Sequence, residues 1–329
     1  MPTPSNIVNS IWARIVAAQK GVAVGNAYAL LNDAGQFAPM TIGNGRTYFV
    51  STFAGSDAND GLAWDRAFAT MAKALSVVAN YDQILVNGVV KEQCVAPQDV
   101  FDVTIIGACN RPRQATDGGV PTGGGASWLS PAVPTATTPL LKLREQSWTI
   151  INMMFAPVAS SACVRLSRAE VAADMDGSHA SFINCYFVGG GANGIGIEDV
   201  GGCGGILING CRFQGLGDTA IKGISMAIAV PLLWEIRNSK FEGNLNDIKM
   251  SLSKGLIREN QFLTAGSGAV NKVISTDALG SGGNNQILLN QFKNTEAQIA
   301  PANGYTGTAS DVWMNYVTDQ AALAFGQPA

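Results

Sequence analysis

Ile150-Ile151-Asn152-Met153-Met154-Phe155 is followed by Phe182-Ile183-Asn184-Cys185-Tyr186-Phe187, Leu207-Ile208-Asn209-Gly210-Cys211-Arg212-Phe213, Glu235-Ile236-Arg237-Asn238-Ser239-Lys240-Phe241, Ile257-Arg258-Glu259-Asn260-Gln261-Phe262 and Leu288-Leu289-Asn290-Gln291-Phe292, with a weaker copy at Val312-Trp313-Met314-Asn315-Tyr316. Each copy runs from apolar residues through an asparagine to an aromatic residue. The steps between Phe155, Phe187, Phe213, Phe241, Phe262 and Phe292 are 32, 26, 28, 21 and 30 residues. Self-similarity at such a period marks a repeat architecture. Between the copies lie short apolar runs, such as Ile195-Gly196-Ile197 and Ala220-Ile221-Lys222-Gly223-Ile224, broken by Gly, Asn and Asp. Leucine-rich repeats would show helical segments, and hexapeptide helices a strict period. Variable spacing with strands only fits an all-β right-handed parallel β-helix, three short strands per coil, with loops of free length at a corner.

In such a solenoid every strand pairs with the coil above and below, about 4.8 Å away. The aromatics are expected to stack one coil apart in the core. Asn152, Asn184, Asn209, Asn238, Asn260 and Asn290 are expected to stack as a structural ladder of amides at a sharp turn, satisfying donors and acceptors there.

Working outward, Tyr48-Phe49-Val50-Ser51, Ile84-Leu85-Val86 and Val103-Thr104-Ile105-Ile106-Gly107 read as earlier strands. Phe68, Met71, Ala72, Leu75 and Val78 follow helical spacing, and this stretch is placed to cap the exposed first strand. Asp57, Asn59 and Gly61 faintly resemble a calcium loop, but the spacing is one residue short and Phe68 stands where a Glu would be needed, so a turn is expected. Residues 111–126, with Gly123-Gly124-Gly125, interrupt the pattern and read as an inserted contact loop between subunits.

The first 45 residues differ. Ile7, Val8, Ile11, Trp12 and Ile15 fall at helical spacing behind Ser5 as N-cap, giving a short amphipathic helix ending near Gly21. So small a helix must dock its apolar face on the body, on sister chains or on another protein, and Ile7, Ile11, Trp12 and Ile15 are the attachment candidates. The organisation is therefore 1–45 as an N-terminal anchoring segment, 46–107 as cap and first coil, and 108–329 as the body.

Composition bounds the function. The chain has 329 residues, 47% hydrophobic and only 14% charged, with 38 glycines and a net charge of −3. Low charge with many glycines indicates tight turns in register or surface hidden against partner subunits, not disorder. No basic patch indicates nucleic acid, no apolar run approaches a membrane span, and the N-terminus has no signal-peptide pattern. Six scattered cysteines without a CxxC pair read as reduced and buried. The single histidine, His179, rules out a His-rich metal site and reads as a turn residue; no metal and no cofactor are expected. Gly189-Gly190-Gly191-Ala192-Asn193-Gly194 matches GxGxxG, but the following Ile195-Gly196-Ile197-Glu198-Asp199 reads as strand and turn, not a helix opening on a dinucleotide.

The stretch Tyr48–Ser51, Gly55-Ser56-Asp57-Ala58-Asn59-Asp60-Gly61 through Met71, Gln83–Val86 and Val103–Gly107 resembles the capped start of pectate-lyase-like β-helix proteins, of the kind found in phage tailspikes and related virion proteins. The resemblance covers roughly residues 46–320. It implies a virion structural protein of tail-spike, fibre or capsid-decoration type, located in the virion. Its implied partners are its own copies in a homotrimer, other virion proteins, and host surface polysaccharide. The chain departs from a tailspike in being short and in lacking an evident C-terminal trimerisation domain. It departs from pectate lyases in lacking Asp-rich calcium clusters with a neighbouring Arg or Lys base. The enzymatic alternative is a depolymerase (glycoside hydrolase or lyase), which needs two carboxylates. Asp218 and Asp247, expected on adjacent coils, with Glu198 and Asp199 one coil earlier, are its candidates; solvated turn acids are the competing reading. Trp64, Trp128, Trp148, Trp234 and Trp313 could stack on sugars, but their place before the strands favours core or rim packing.

Overall fold

The computed structural model describes residues 45–108, 126–135, 137–157, 161–168, 176–189, 193–223, 231–263 and 284–292 with their side chains, together with residue 274, residue 315 and the backbone of short strands elsewhere. The proposed anchoring residues Ile7, Ile11, Trp12 and Ile15 lie outside the described residues. Within the first 44, only the antiparallel strands Ala29–Leu31 and Phe37–Pro39 are described.

The chain is a right-handed parallel β-helix with three strand-bearing faces. Face one stacks Thr47–Ser51, the first half of Gln83–Val90, Thr104–Gly107, Thr149–Ile151, Ser181–Ile183, Leu207–Asn209, Glu235–Arg237, Leu256–Arg258, Gln286–Leu288 and Asp311–Trp313. Face two runs from the second half of Gln83–Val90 through Ala126–Leu129, Met154–Ala156, Tyr186–Val188, Arg212–Gln214, Lys240–Glu242, Gln261–Phe262 and Gln291–Phe292 to Tyr316–Val317. Face three runs from Cys94–Val95 through Leu141–Leu143, Ala162–Leu166, Ile195–Asp199, Thr219–Gly223, Asn246–Lys249 and Ile274–Ser275 to Tyr305–Thr306. Pairing continues from Thr104–Gly107 to Thr149–Ile151, so the solenoid runs unbroken past the insertion. That insertion leaves between faces one and two, and its described part is a small hairpin of Thr116–Asp117 and Val120–Pro121.

Because strands alternate their side chains, the middle residue of each three-residue strand points inward. On face one this builds a column of Ile84, Ile105, Ile150, Phe182, Ile208, Ile236, Ile257 and Ile287, all essentially inaccessible. On face two it builds the aromatic stack Trp128, Phe155, Phe187, Phe213, Phe241, Phe262 and Phe292, with successive centroids 4.7–5.8 Å apart and near-parallel rings. Trp128, Trp148 and Trp234 are buried, and their indole N–H groups donate to the carbonyls of Glu92, Val100 and Cys203. These three are core residues. Trp64 packs edge-on against Phe49, and the side chain of Trp313 lies outside the described residues.

Most of the described corners turn on a residue of positive φ. Two residues before the face-one strands from Gln83–Val90 to Gln286–Leu288 stand Tyr81, Asp102, Ser147, His179, Gly205, Leu233, Lys254 and Asn284 (φ +54° to +70°). Between faces one and two it is Asn152, Asn184, Gly210, Asn238, Glu259 or Leu289, and after face two Gly189, Gly215 and Gly243. Gly and Asn adopt this region at least cost, and among the described residues eight glycines and four asparagines take it. His179 is thus a corner residue. Gly189 likewise follows strand Tyr186–Val188 at positive φ, and the next described strand is Ile195–Asp199.

The first strand is sealed differently from expectation. Helix α1 spans Met71–Val77, shorter than Phe68–Val78, and buries Met71, Ala74 and Leu75 in the core. The open edge itself is closed by the preceding loop. Phe49 and Ser51 donate their N–H to the carbonyls of Gly61 and Phe68 (2.7 and 2.9 Å), and Phe68 donates back to Phe49. The Asp57 carboxylate fastens this loop, accepting from the N–H groups of Ala69 and Thr70 and from Thr70 Oγ1 (2.9, 3.0 and 2.8 Å). Glu92 accepts from Met71 and Ala72 at the helix N-terminus, where a carboxylate also meets the positive end of the helix dipole.

Candidate functional site

The depolymerase alternative requires two carboxylates converging on one cleft. Glu198 points outward from face three, aligned between Arg165 and Lys222 of the adjacent coils. It is nearly buried and bonds Arg165 Nε at 2.8 Å. Asp218 stands just before Thr219–Gly223, held by Lys222 Nζ and Thr219 Oγ1, both at 2.7 Å. Asp247 lies in the interior, inaccessible, with Asn244 Nδ2 donating to its Oδ1 at 2.9 Å. Asn246 pairs with Thr219 and Ile248 with Ile221, so Asp247 aligns with the buried Ala220 and not with Asp218. The corner between faces two and three is one residue shorter in this coil, and counting from the aromatics does not reveal it. Asp218 and Asp247 therefore do not form an acid pair.

Asp199 ends its strand fully buried, accepting from the N–H groups of Gly201 and Cys203 at 3.1 Å. Burial pushes its carboxyl up to about 6, and the Cys203 and Gly201 N–H bonds limit the rise. A folded-state value above the ordinary one near 4 means that the protonated form stabilises the fold. Its contribution is complete below pH 4 and is lost as pH rises through 6. Asp199→Asn, which mimics the neutral acid, is expected to flatten this profile. Chemical denaturation at pH 4 should find little difference from wild type, and at pH 7.5 the variant should be more stable by on the order of 2–3 kcal/mol. A difference between variant and wild type that does not grow between pH 4 and 7.5 would refute the assignment. Among the described residues no group of three or more His, Cys, Asp or Glu side chains could hold a metal ion.

The six asparagines do not share one position. Asn152, Asn184 and Asn238 are left-handed corner residues, Asn209 ends its strand, and Asn260 and Asn290 lie one residue past the corner, buried and facing in. Outer amide bonds join Asn184 to Asn152 (2.5 Å) and Asn238 to Asn209 (3.1 Å). The inner position carries a longer ladder, in which Asn290 Oδ1 accepts from both the N–H and Nδ2 of Asn260, and Asn315 Oδ1 from both of Asn290. Each inner amide also donates to the carbonyl at the centre of the preceding face-one strand: Asn260 to Ile236, Asn290 to Ile257 and Asn315 to Ile287. Upstream, thiols take this place. Cys185 Sγ donates to Ile150 and Cys211 Sγ to Phe182 (3.4 and 3.3 Å), and burial pushes the Cys185 thiol well up, keeping it a donor. The described cysteines, Cys94, Cys163, Cys185, Cys203 and Cys211, are all reduced and buried.

No family model matches the sequence, and no curated protein matches it. Similar folds occur among solved structures. A pectin methylesterase bound to a hexasaccharide is 11% identical, with a TM-score of 0.46 over 87% of this chain and 92% of that one. A pectate lyase is 13% identical, with a TM-score of 0.44 over 85% and 82%. The GH136 lacto-N-biosidase from Eubacterium ramulus is 10% identical, with a TM-score of 0.37 over 82% and 68%. The likeness is one of fold alone, and the same fold serves unrelated functions.

Proposed function

We propose that this chain is a β-helical structural component of a phage particle, held through its N-terminal segment, assembled as a homotrimer, and contacting host surface glycan without cleaving it. What supports a non-catalytic reading is the engagement of the candidate acids. Glu198 pairs with Arg165, Asp218 with Lys222, and Asp247 sits inside the core. The assignment to a virion rests on the resemblance of the capped start, and the low overall charge suits faces packed against sister chains. Among the described residues no helix is long and apolar enough to cross a membrane.

The test is incubation of the purified protein with capsular polysaccharide and lipopolysaccharide from candidate hosts, read by reducing-end release, with light scattering for mass. We expect no release and a mass of three chains. Release that disappears in Asp218→Asn would make the protein a depolymerase, and a monomer at micromolar concentration would remove the trimer.

A further inference from the structure

The corner preceding face one carries one left-handed residue per coil, and most of these are polar or glycine. Tyr81 and Leu233 are the exceptions, and of the two Tyr81 alone carries a ring. Its φ is +70°, a region that strains a bulky side chain, yet the ring is not used in the core, since the residue is 45% exposed. It meets Phe101, itself 37% exposed, with centroids 5.6 Å apart and planes at 85°. An edge-on pair at this exposure leaves an aromatic face turned to water. Strain retained at an exposed aromatic is the pattern expected of a binding position, because replacement by Asn or Gly would relieve it.

The pair is held rigidly. Tyr81 donates its N–H to Phe101 O, and Phe101 donates to Asn80 Oδ1 (3.3 and 3.0 Å). Phe101 is flanked by two further left-handed residues, Asp99 and Asp102, whose N–H groups donate to Glu145 Oε1 and Gln146 O. Two exposed rings are far too small to hold a second copy of the chain, for which about 800 Å² per partner is usual. In the chain Asn80 stands beside Tyr81, and Asp99 and Asp102 lie on either side of Phe101, which makes an acidic and amidic rim. Such a rim accepts hydrogen bonds from hydroxyl groups and repels carboxylated sugars. The apolar face of a pyranose matches an exposed aromatic face, and its hydroxyls match the rim.

We infer that Tyr81 and Phe101 form a stacking platform for a pyranose ring of a neutral glycan, a reading that rests on the glycan contact proposed above and locates it. The test is affinity electrophoresis of the full chain in gels containing dextran, pullulan, mixed-linkage β-glucan, galactomannan or polygalacturonate, alongside Tyr81→Asn and Phe101→Ala. Expected are retardation in at least one neutral gel and none in polygalacturonate, with affinity at least tenfold weaker in both variants. The melting midpoint of Tyr81→Asn should not fall below wild type, because the substitution relieves strain. Retardation unchanged in the variants would overturn the platform while leaving glycan contact elsewhere. No retardation in any gel would overturn the platform, and the glycan contact itself would fall if host capsular polysaccharide and lipopolysaccharide set in the same gels also caused none. A lower midpoint, or a smaller assembly mass, in Tyr81→Asn would show a structural or subunit contact instead and overturn the platform.

Discussion

Phe213→Ala is expected to cost about 3–5 kcal/mol of stability, the usual range for deleting a fully buried ring. Phe213 is inaccessible and stacks between Phe187 at 4.7 Å and Phe241 at 4.9 Å. Its removal opens a gap that the neighbouring rings cannot close, because each is fixed by the strand pairing of its own coil. In a solenoid each coil contacts mainly its neighbours, so the damage should be local. Hydrogen exchange should show protection lost first in Tyr186–Val188 and Lys240–Glu242, with Ala126–Leu129 and Gln291–Phe292 little changed. Protection lost equally in all coils would mean that the stack acts as one cooperative unit.

The second large effect is expected from the inner ladder. Asn290→Ala removes the donor to Ile257 O and the acceptor for the N–H and Nδ2 of Asn260, in a position closed to water. Leaving one buried polar group unpaired costs about 1–3 kcal/mol; here the Asn260 N–H loses its acceptor and Ile257 O its side-chain donor, while Asn260 Nδ2 keeps Ile236 O, so a loss of about 2–3 kcal/mol is expected by denaturant titration. Asn290→Asp is the informative companion. It keeps the shape but turns an oxygen toward Ile257 O and Asn315 Oδ1, so it should be at least as damaging as Ala at neutral pH. An Asp variant as stable as wild type would show that shape, not hydrogen bonding, holds this corner.

The fold was legible because its strongest signal is covalent spacing. One aromatic per coil, preceded by one apolar strand centre, recurs wherever faces one and two recur. The asparagines were harder to separate, though the signal was present. Asn152, Asn184 and Asn238 precede their phenylalanines by three positions, Asn260 and Asn290 by two, and Asn209 by four. Three places the residue at the left-handed corner, two at the inner rung, and four at the strand end. The inner ladder as a whole was not legible, because Cys185, Cys211 and Ser239, whose Oγ accepts from the Cys211 N–H and whose N–H donates to Asn260 Oδ1, fill its upper rungs with different chemistry. The acid pair failed for a related reason. Asp218 and Asp247 were aligned by counting from Phe213 and Phe241, whereas register is reset at every corner. The Tyr81–Phe101 contact joins residues in different loops, and no periodicity marks it.

The backbone seal over the first strand has a consequence for synthesis. Gly61 and Phe68 close that edge from residues that leave the ribosome before any later coil. Each new coil therefore finds only one template to add to. At roughly 5–20 residues per second, a coil arrives every few seconds, far slower than local strand docking. The chain can thus wind as it is made, one turn at a time, without a growing end that could recruit a neighbouring nascent chain from behind.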